Sequence, residues 1–146
     1  MPDLLVAEGR YGVVLGEDPA VARTALEHAV ADAAARDPWL RDNPPVVSWP
    51  GGQFGSGMID VDHPLVHQTR SAVAAVTGSP SPPLAAVPYG SDLRLYAGIG
   101  GIPTLHYGPG DVRFAHAPRE QVRLDEVLES ARAMAVLVAR RCGAHV

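Results

Sequence analysis

Proline and glycine decide where regular structure can start and stop in this chain, and they cut it into short pieces. There are 14 prolines and 15 glycines in 146 residues. Proline lacks the N–H that a helix interior or a central strand requires, so it is tolerated at the first helical position and marks an end elsewhere. Asp18-Pro19 is a helix start on this rule. A carboxylate caps the orphan N–H groups, the proline follows, and the Ala-rich run VARTALEHAVADAAARD continues to Pro38, which marks its end. Asp62-His63-Pro64 repeats the pattern, and the helix it opens runs to about Thr77. The final helix is the firmest. Leu124, Val127, Leu128, Ala131, Met134, Ala135, Leu137 and Val138 recur at helical spacing, with acids near its positive end and Arg140-Arg141 near its negative end.

Between these helices lie Val/Leu/Ile-rich runs that read as strands: residues 4–15, 46–49, 84–87 and 102–107. Residues 92–97 read as a short helix and GSPSPP, 78–83, as a turn. Alternating strands and helices predict an α/β or α+β architecture. The pair Gly55 and Gly57 is the best domain boundary. A net charge of −4 gives no electrostatic footprint for nucleic acid. All twelve basic residues are arginine. Cys142 is the single cysteine, which excludes an internal disulfide, reads as an inert thiol and makes a cytoplasmic location the default expectation. No apolar run reaches membrane-spanning length, so no membrane partner is expected.

Chemistry concentrates in residues 101–125. A buried strand delivers the loop Gly108-Pro109-Gly110, whose backbone can approach an anionic ligand, and then His116 with Glu120 four residues on. Imidazole is a common zinc ligand, and a capped loop histidine is the competing reading. His63 and His67, four apart, could share a helix face as a metal pair, but His63 belongs to a helix start. His28 reads as solvated, His106 as buried and hydrogen-bonded, and His145 as terminal.

The run Gly101-Ile102-Pro103-Thr104, then Gly108-Pro109-Gly110, then Ala115-His116-Ala117-Pro118-Arg119-Glu120, resembles the C-terminal signature of a family of metal-dependent amidohydrolases and metallopeptidases. That family contains acetylornithine deacetylase, succinyl-diaminopimelate desuccinylase, aminoacylases and glutamate carboxypeptidase. The resemblance implies that His116 is a terminal ligand to the second metal of a two-zinc centre. It places Ser91 and Asp92, in the segment PYGSDLRLY, at the active-site rim with Gly108 and Gly110. AEGRYGVVLGEDP resembles a strand and helix start of the family's inserted lid, where the substrate carboxylate would meet Arg10.

The implied organisation is the second half of an α+β lid, or dimerisation, domain over residues 1–55. The C-terminal part of a zinc-peptidase-like α/β catalytic domain follows over residues 56–146. The family's first metal histidine, bridging aspartate, catalytic glutamates and remaining carboxylate ligand all precede the matched region, and the lid histidine has no counterpart. The expectation is therefore a C-terminal fragment of a zinc-dependent hydrolase of N-acyl amino acids or peptides, inactive alone, with half a metal site. It would self-associate as a homo-oligomer or join a complementing N-terminal chain. A non-catalytic interaction module is the alternative.

Overall fold

The computed structural model describes residues 4–143; His145 lies outside them. Four α-helices carry the architecture: α1 (Pro19–Arg36), α2 (Pro38–Asp42), α3 (Pro64–Thr77) and α4 (Leu124–Arg141). Each of the first three has proline at its first position and a capping side chain before it. The Asp18 carboxylate accepts from the Ala20 N–H at 2.9 Å. The Asp37 carboxylate accepts from Trp39 and Leu40, each at 2.9 Å. His63 does the same with its ring, Nδ1 accepting from the Leu65 N–H at 3.1 Å. Pro38 thus ends α1, as expected, and also begins α2, which the sequence reading did not anticipate. Gly78 closes α3 with φ of 72°, a left-handed cap that glycine adopts without steric cost.

Helix α1 packs on α2, α3 packs on α4, and among the described residues no helix contact joins the two pairs. The first pair is thin. Helix α1 buries only Ala22 and Ala34, and α2 buries nothing. Trp49 closes over α1, its indole N–H donating to Glu27 at 2.8 Å beneath the Arg23 guanidinium. The second pair is the real core: Val66, Thr69 and Ala72 of α3 are buried with Ser130 and Ala133 of α4. Small side chains at this seam let the backbones approach closely. Thr69 satisfies its hydroxyl on the Leu65 carbonyl at 2.8 Å, so the buried polar atom is not orphaned.

Among the described residues there is no β-strand, so the expected α/β architecture does not form within this chain. Residues 4–15, 46–49, 84–87 and 102–107 make no ladder, while the short helix expected over 92–97 forms two residues later, as a π-helical turn at Arg94–Ile99. A strand is stabilised by the strand beside it, and none of these segments finds a neighbour here. Many of their side chains lack cover: Leu5 is 90% exposed, Val46 91% and Ile102 53%. The His106 expected in a buried strand is accordingly exposed. The accessible surface is 11601 Å². A folded monomer of 15.3 kDa exposes roughly 7,100 Å².

The remaining tertiary contacts attach loops to helices. Arg70 of α3 donates to the Pro82 carbonyl at 3.0 Å and to the Ser81 hydroxyl at 2.7 Å, fixing the turn after α3. Gly57 lies against the π turn: a Cβ there would sit 2.6 Å from the Arg94 backbone nitrogen, so no other residue fits. The expected boundary glycine is therefore a close-packing position. Next to it, the Ser56 hydroxyl accepts from the Gly16 N–H at 2.9 Å, a link between the two halves of the chain.

Candidate functional site

Residues 102–107 lead into the Gly108-Pro109-Gly110 loop, as the sequence suggests, though without strand pairing. Gly110 has φ of 96°, and a Cβ there would press on Val122 at 3.4 Å. Its N–H donates to the Glu126 carboxylate in the first turn of α4 at 3.0 Å. The loop is thus tied to α4, and this donor is engaged within the protein. Asp111 then caps a 3₁₀ turn, Val112–Phe114, accepting from the Arg113 N–H at 2.9 Å while the Arg113 guanidinium clasps the same carboxylate. The Arg113 hydrogen bond holds the Asp111 carboxyl down at about 2.

This loop, together with Tyr89, His106 and Glu120, lines an open cleft of about 950 Å³. Gly108, Gly110 and Glu120 line it; Ser91, Asp92 and Arg10 do not. Ser91 is one step away, its hydroxyl 2.8 Å from His106 Nε2, while the Tyr89 ring stands at 60° to the imidazole. Sequence reasoning missed the Ser91–His106 pair because the partners lie fifteen positions apart, on either side of the π turn, and no spacing rule joins them. Asp92 is exposed and starts the π turn, its carbonyl accepting from the Leu95 N–H at 2.8 Å. Arg10 is exposed, and among the described residues it makes no ion pair.

His116 follows Ala115, which lines the cleft, and is itself exposed. Its φ is +58°, and among the described residues it is the sole non-glycine with positive φ. Histidine tolerates this conformation better than most residues, but it still costs energy, and such positions concentrate where a side chain must be aimed. The imidazole is exposed, and the turn that follows is closed by the Glu120 N–H donating to the Ala117 carbonyl at 2.9 Å.

A metal centre needs several donors, and the described residues do not supply them. No group of three or more His, Cys, Asp or Glu side chains converges anywhere among them. His63 spends Nδ1 on its helix cap, and His67 faces Asp62 at 3.9 Å, so this pair forms no site. His28 is exposed on α1, and Cys142 is exposed at the end of α4. One imidazole can be a ligand; it cannot be a site.

A sequence model of the group described as peptidase family M20/M25/M40 matches residues 11–140, and the chain belongs to that family. The family is generally metal-dependent and hydrolytic. Among curated proteins, the chain is similar to N-formyl-4-amino-5-aminomethyl-2-methylpyrimidine deformylase of Halalkalibacterium halodurans. The two are 27% identical over 132 residues, which is 84% of this chain and 30% of that protein. The chain therefore spans less than a third of the length of the curated relative it matches. No solved structure matches it.

Proposed function

We propose that this chain is the C-terminal part of a metal-dependent hydrolase of amide bonds in small N-acyl or N-formyl compounds. The catalytic base and the other metal ligands would come from a separate stretch of polypeptide. The observation that carries this reading is His116. On this reading His116 would take the ligand position that the motif resemblance implies; it is held outward in a left-handed turn beside an open cleft, and no metal-binding group of donors converges among the described residues. The formyl amide in the name of the deformylase supports a small acyl group, and zinc is the metal the motif favours. Arg10 would meet a substrate carboxylate, and Ser91, Asp92, Gly108 and Gly110 would form the rim.

The surface supports a missing partner. The excess over a compact monomer is several times the ~800 Å² that one side of a standard interface buries. Segments 4–15 and 102–107 are the edges that a complementing sheet, or a second copy of the chain, would cover.

The test begins with the coding sequence around this chain. A stretch supplying histidine, aspartate and glutamate ligands would be co-expressed with it, and formate or carboxylate release from N-formyl and N-acyl amines measured with added zinc. The expected outcome is a co-purifying, zinc-dependent hydrolase that His116→Ala silences. A tight complex that hydrolyses none of these substrates with zinc, manganese or cobalt would overturn the reading in favour of an interaction module. Undiminished activity in His116→Ala would instead overturn the assignment of His116 as a metal ligand.

A further inference from the structure

The α3–α4 pair carries a second feature, and it shares no residue with the His116 region. A groove of about 310 Å³ runs between the two helices, lined by His67, Gln68 and Ser71 of α3 and by Leu137, Arg140 and Arg141 of α4. Both arginines lean across it. Arg140 donates to the Ser71 hydroxyl at 3.3 Å and Arg141 to the Gln68 side-chain oxygen at 2.6 Å. Arginines in the last turn of a helix are commonly explained by the helix dipole, and that would account for their charge. It does not account for their being drawn sideways onto neutral acceptors of the neighbouring helix.

Among the described residues neither guanidinium has a carboxylate partner, and the groove lining contains no acid. Most arginines of the chain are unpaired, so the distinguishing feature is placement: two adjacent arginines border one groove that no acid lines, a local excess of positive charge. Each guanidinium has five N–H donors and uses one of them here. The Ser71 hydroxyl and the Gln68 amide add further donors along the same wall, while the His67 imidazole faces the Asp62 carboxylate at 3.9 Å.

We propose that this groove binds a small phosphate monoester. The donors outnumber the two oxygens of a carboxylate. A phosphate monoester offers three terminal oxygens and up to two negative charges, which two planar guanidinium forks can share. The apolar flank of Leu137 then faces the ester's carbon portion. Ser71 and Gln68 hold the two arginines in place before the ligand arrives, so less side-chain freedom is lost on binding.

Calorimetric titration of the full chain with inorganic phosphate and with glycerol 3-phosphate, at constant ionic strength, tests this. Saturable binding of both is expected, tighter for the ester. Arg140→Gln with Arg141→Gln should weaken it about tenfold or more, the loss expected for charge-assisted hydrogen bonds. Arg132→Gln, on α4 outside the groove, should change nothing. Gln68→Glu supplies Arg141 with an internal carboxylate and should also weaken binding, with an unchanged helical circular dichroism spectrum to show that the pair still folds. Absence of saturable heat, equal affinity in the double variant, or binding only to vesicles containing phosphatidic acid would each overturn the proposal. Because the groove and the His116 turn share no residue, this result is independent of whether the hydrolase reading survives.

Discussion

The α3–α4 pair and the segment at 102–107 are both apolar, and they meet opposite fates. Val66, Ala72 and Ala133 each retain 1% of their exposure, whereas Ile102 retains 53%. The difference lies in where each element keeps its hydrogen-bonding partners. A helix satisfies its backbone internally and needs only one face covered, which its neighbouring helix supplies within this chain. A strand needs a second strand for its backbone and a layer for each face, and residues 102–107 have neither. Apolar sequence alone therefore does not make a core; the element must also find its complement.

Hydrogen exchange should show this contrast most strongly. In the chain alone, amides in the middle of α3 and α4 should exchange at least about 100-fold more slowly than those of residues 102–107, because only the former open against a packed seam. Addition of the complementing polypeptide should protect 102–107 and 4–15 and leave α3–α4 nearly as it was. Equal protection of both regions in the isolated chain would break the comparison.

Substitution sharpens it further. Val66→Ala leaves a void at the tightest point of the seam and should destabilise the pair by about 1–3 kcal/mol. Ile102→Ala removes a larger side chain from an uncovered position and should stay within about 0.5 kcal/mol. Chemical denaturation followed by helical circular dichroism would compare them. The two should converge once the complementing segment is bound, since Ile102 would then be buried.

His116 sits between these extremes, in neither a seam nor an edge. Its φ of +58° predicts that His116→Gly relieves backbone strain, whereas His116→Ala keeps it. The glycine variant should be more stable than the alanine variant by roughly 1 kcal/mol, partly offset by glycine's greater freedom in the unfolded chain. Both lose the imidazole equally. An alanine variant as stable as the glycine one would show that the turn carries no strain.

How much of this was legible follows the same physics. The helices at Pro19, Pro64 and Leu124 were readable because their caps, prolines and periodicity are local signals, and the structure starts them at those residues. Asp37-Pro38 carries the signature of Asp18-Pro19, so α2 is legible from the same local signal once a proline is read as a start as well as a stop. The four strands were read from composition that records a need for burial without saying where the burying layer lies. The His116 motif was legible as a pattern. Its left-handed backbone, the Ser91–His106 contact and the turning of Arg140 and Arg141 onto α3 depend on tertiary placement, which no spacing in the sequence encodes.

Acid should produce the smallest effect, and it too separates the loop from the helices. The Arg113 hydrogen bond holds Asp111 at about 2, below its ordinary 3.8, and Arg123 lowers Asp125 in the same sense. A carboxyl depressed in the folded state contributes stability that is present in full above its unfolded value and is lost as pH falls through the folded one. The window for Asp111 therefore runs from about 4 down to about 2. Both ion pairs are solvent-exposed, so the change should be slight in total stability and local in character. The 3₁₀ turn and the Gly-Pro-Gly loop should loosen over that window while α3–α4, with no depressed carboxyl in its seam, keeps its amide protection. Carboxyl-carbon chemical shifts would follow Asp111 directly: its midpoint should rise toward the ordinary value in Arg113→Gln. A midpoint unmoved by that substitution would mean that the clasp does not hold in solution, and that the loop owes its shape to the Gly110–Glu126 bond alone.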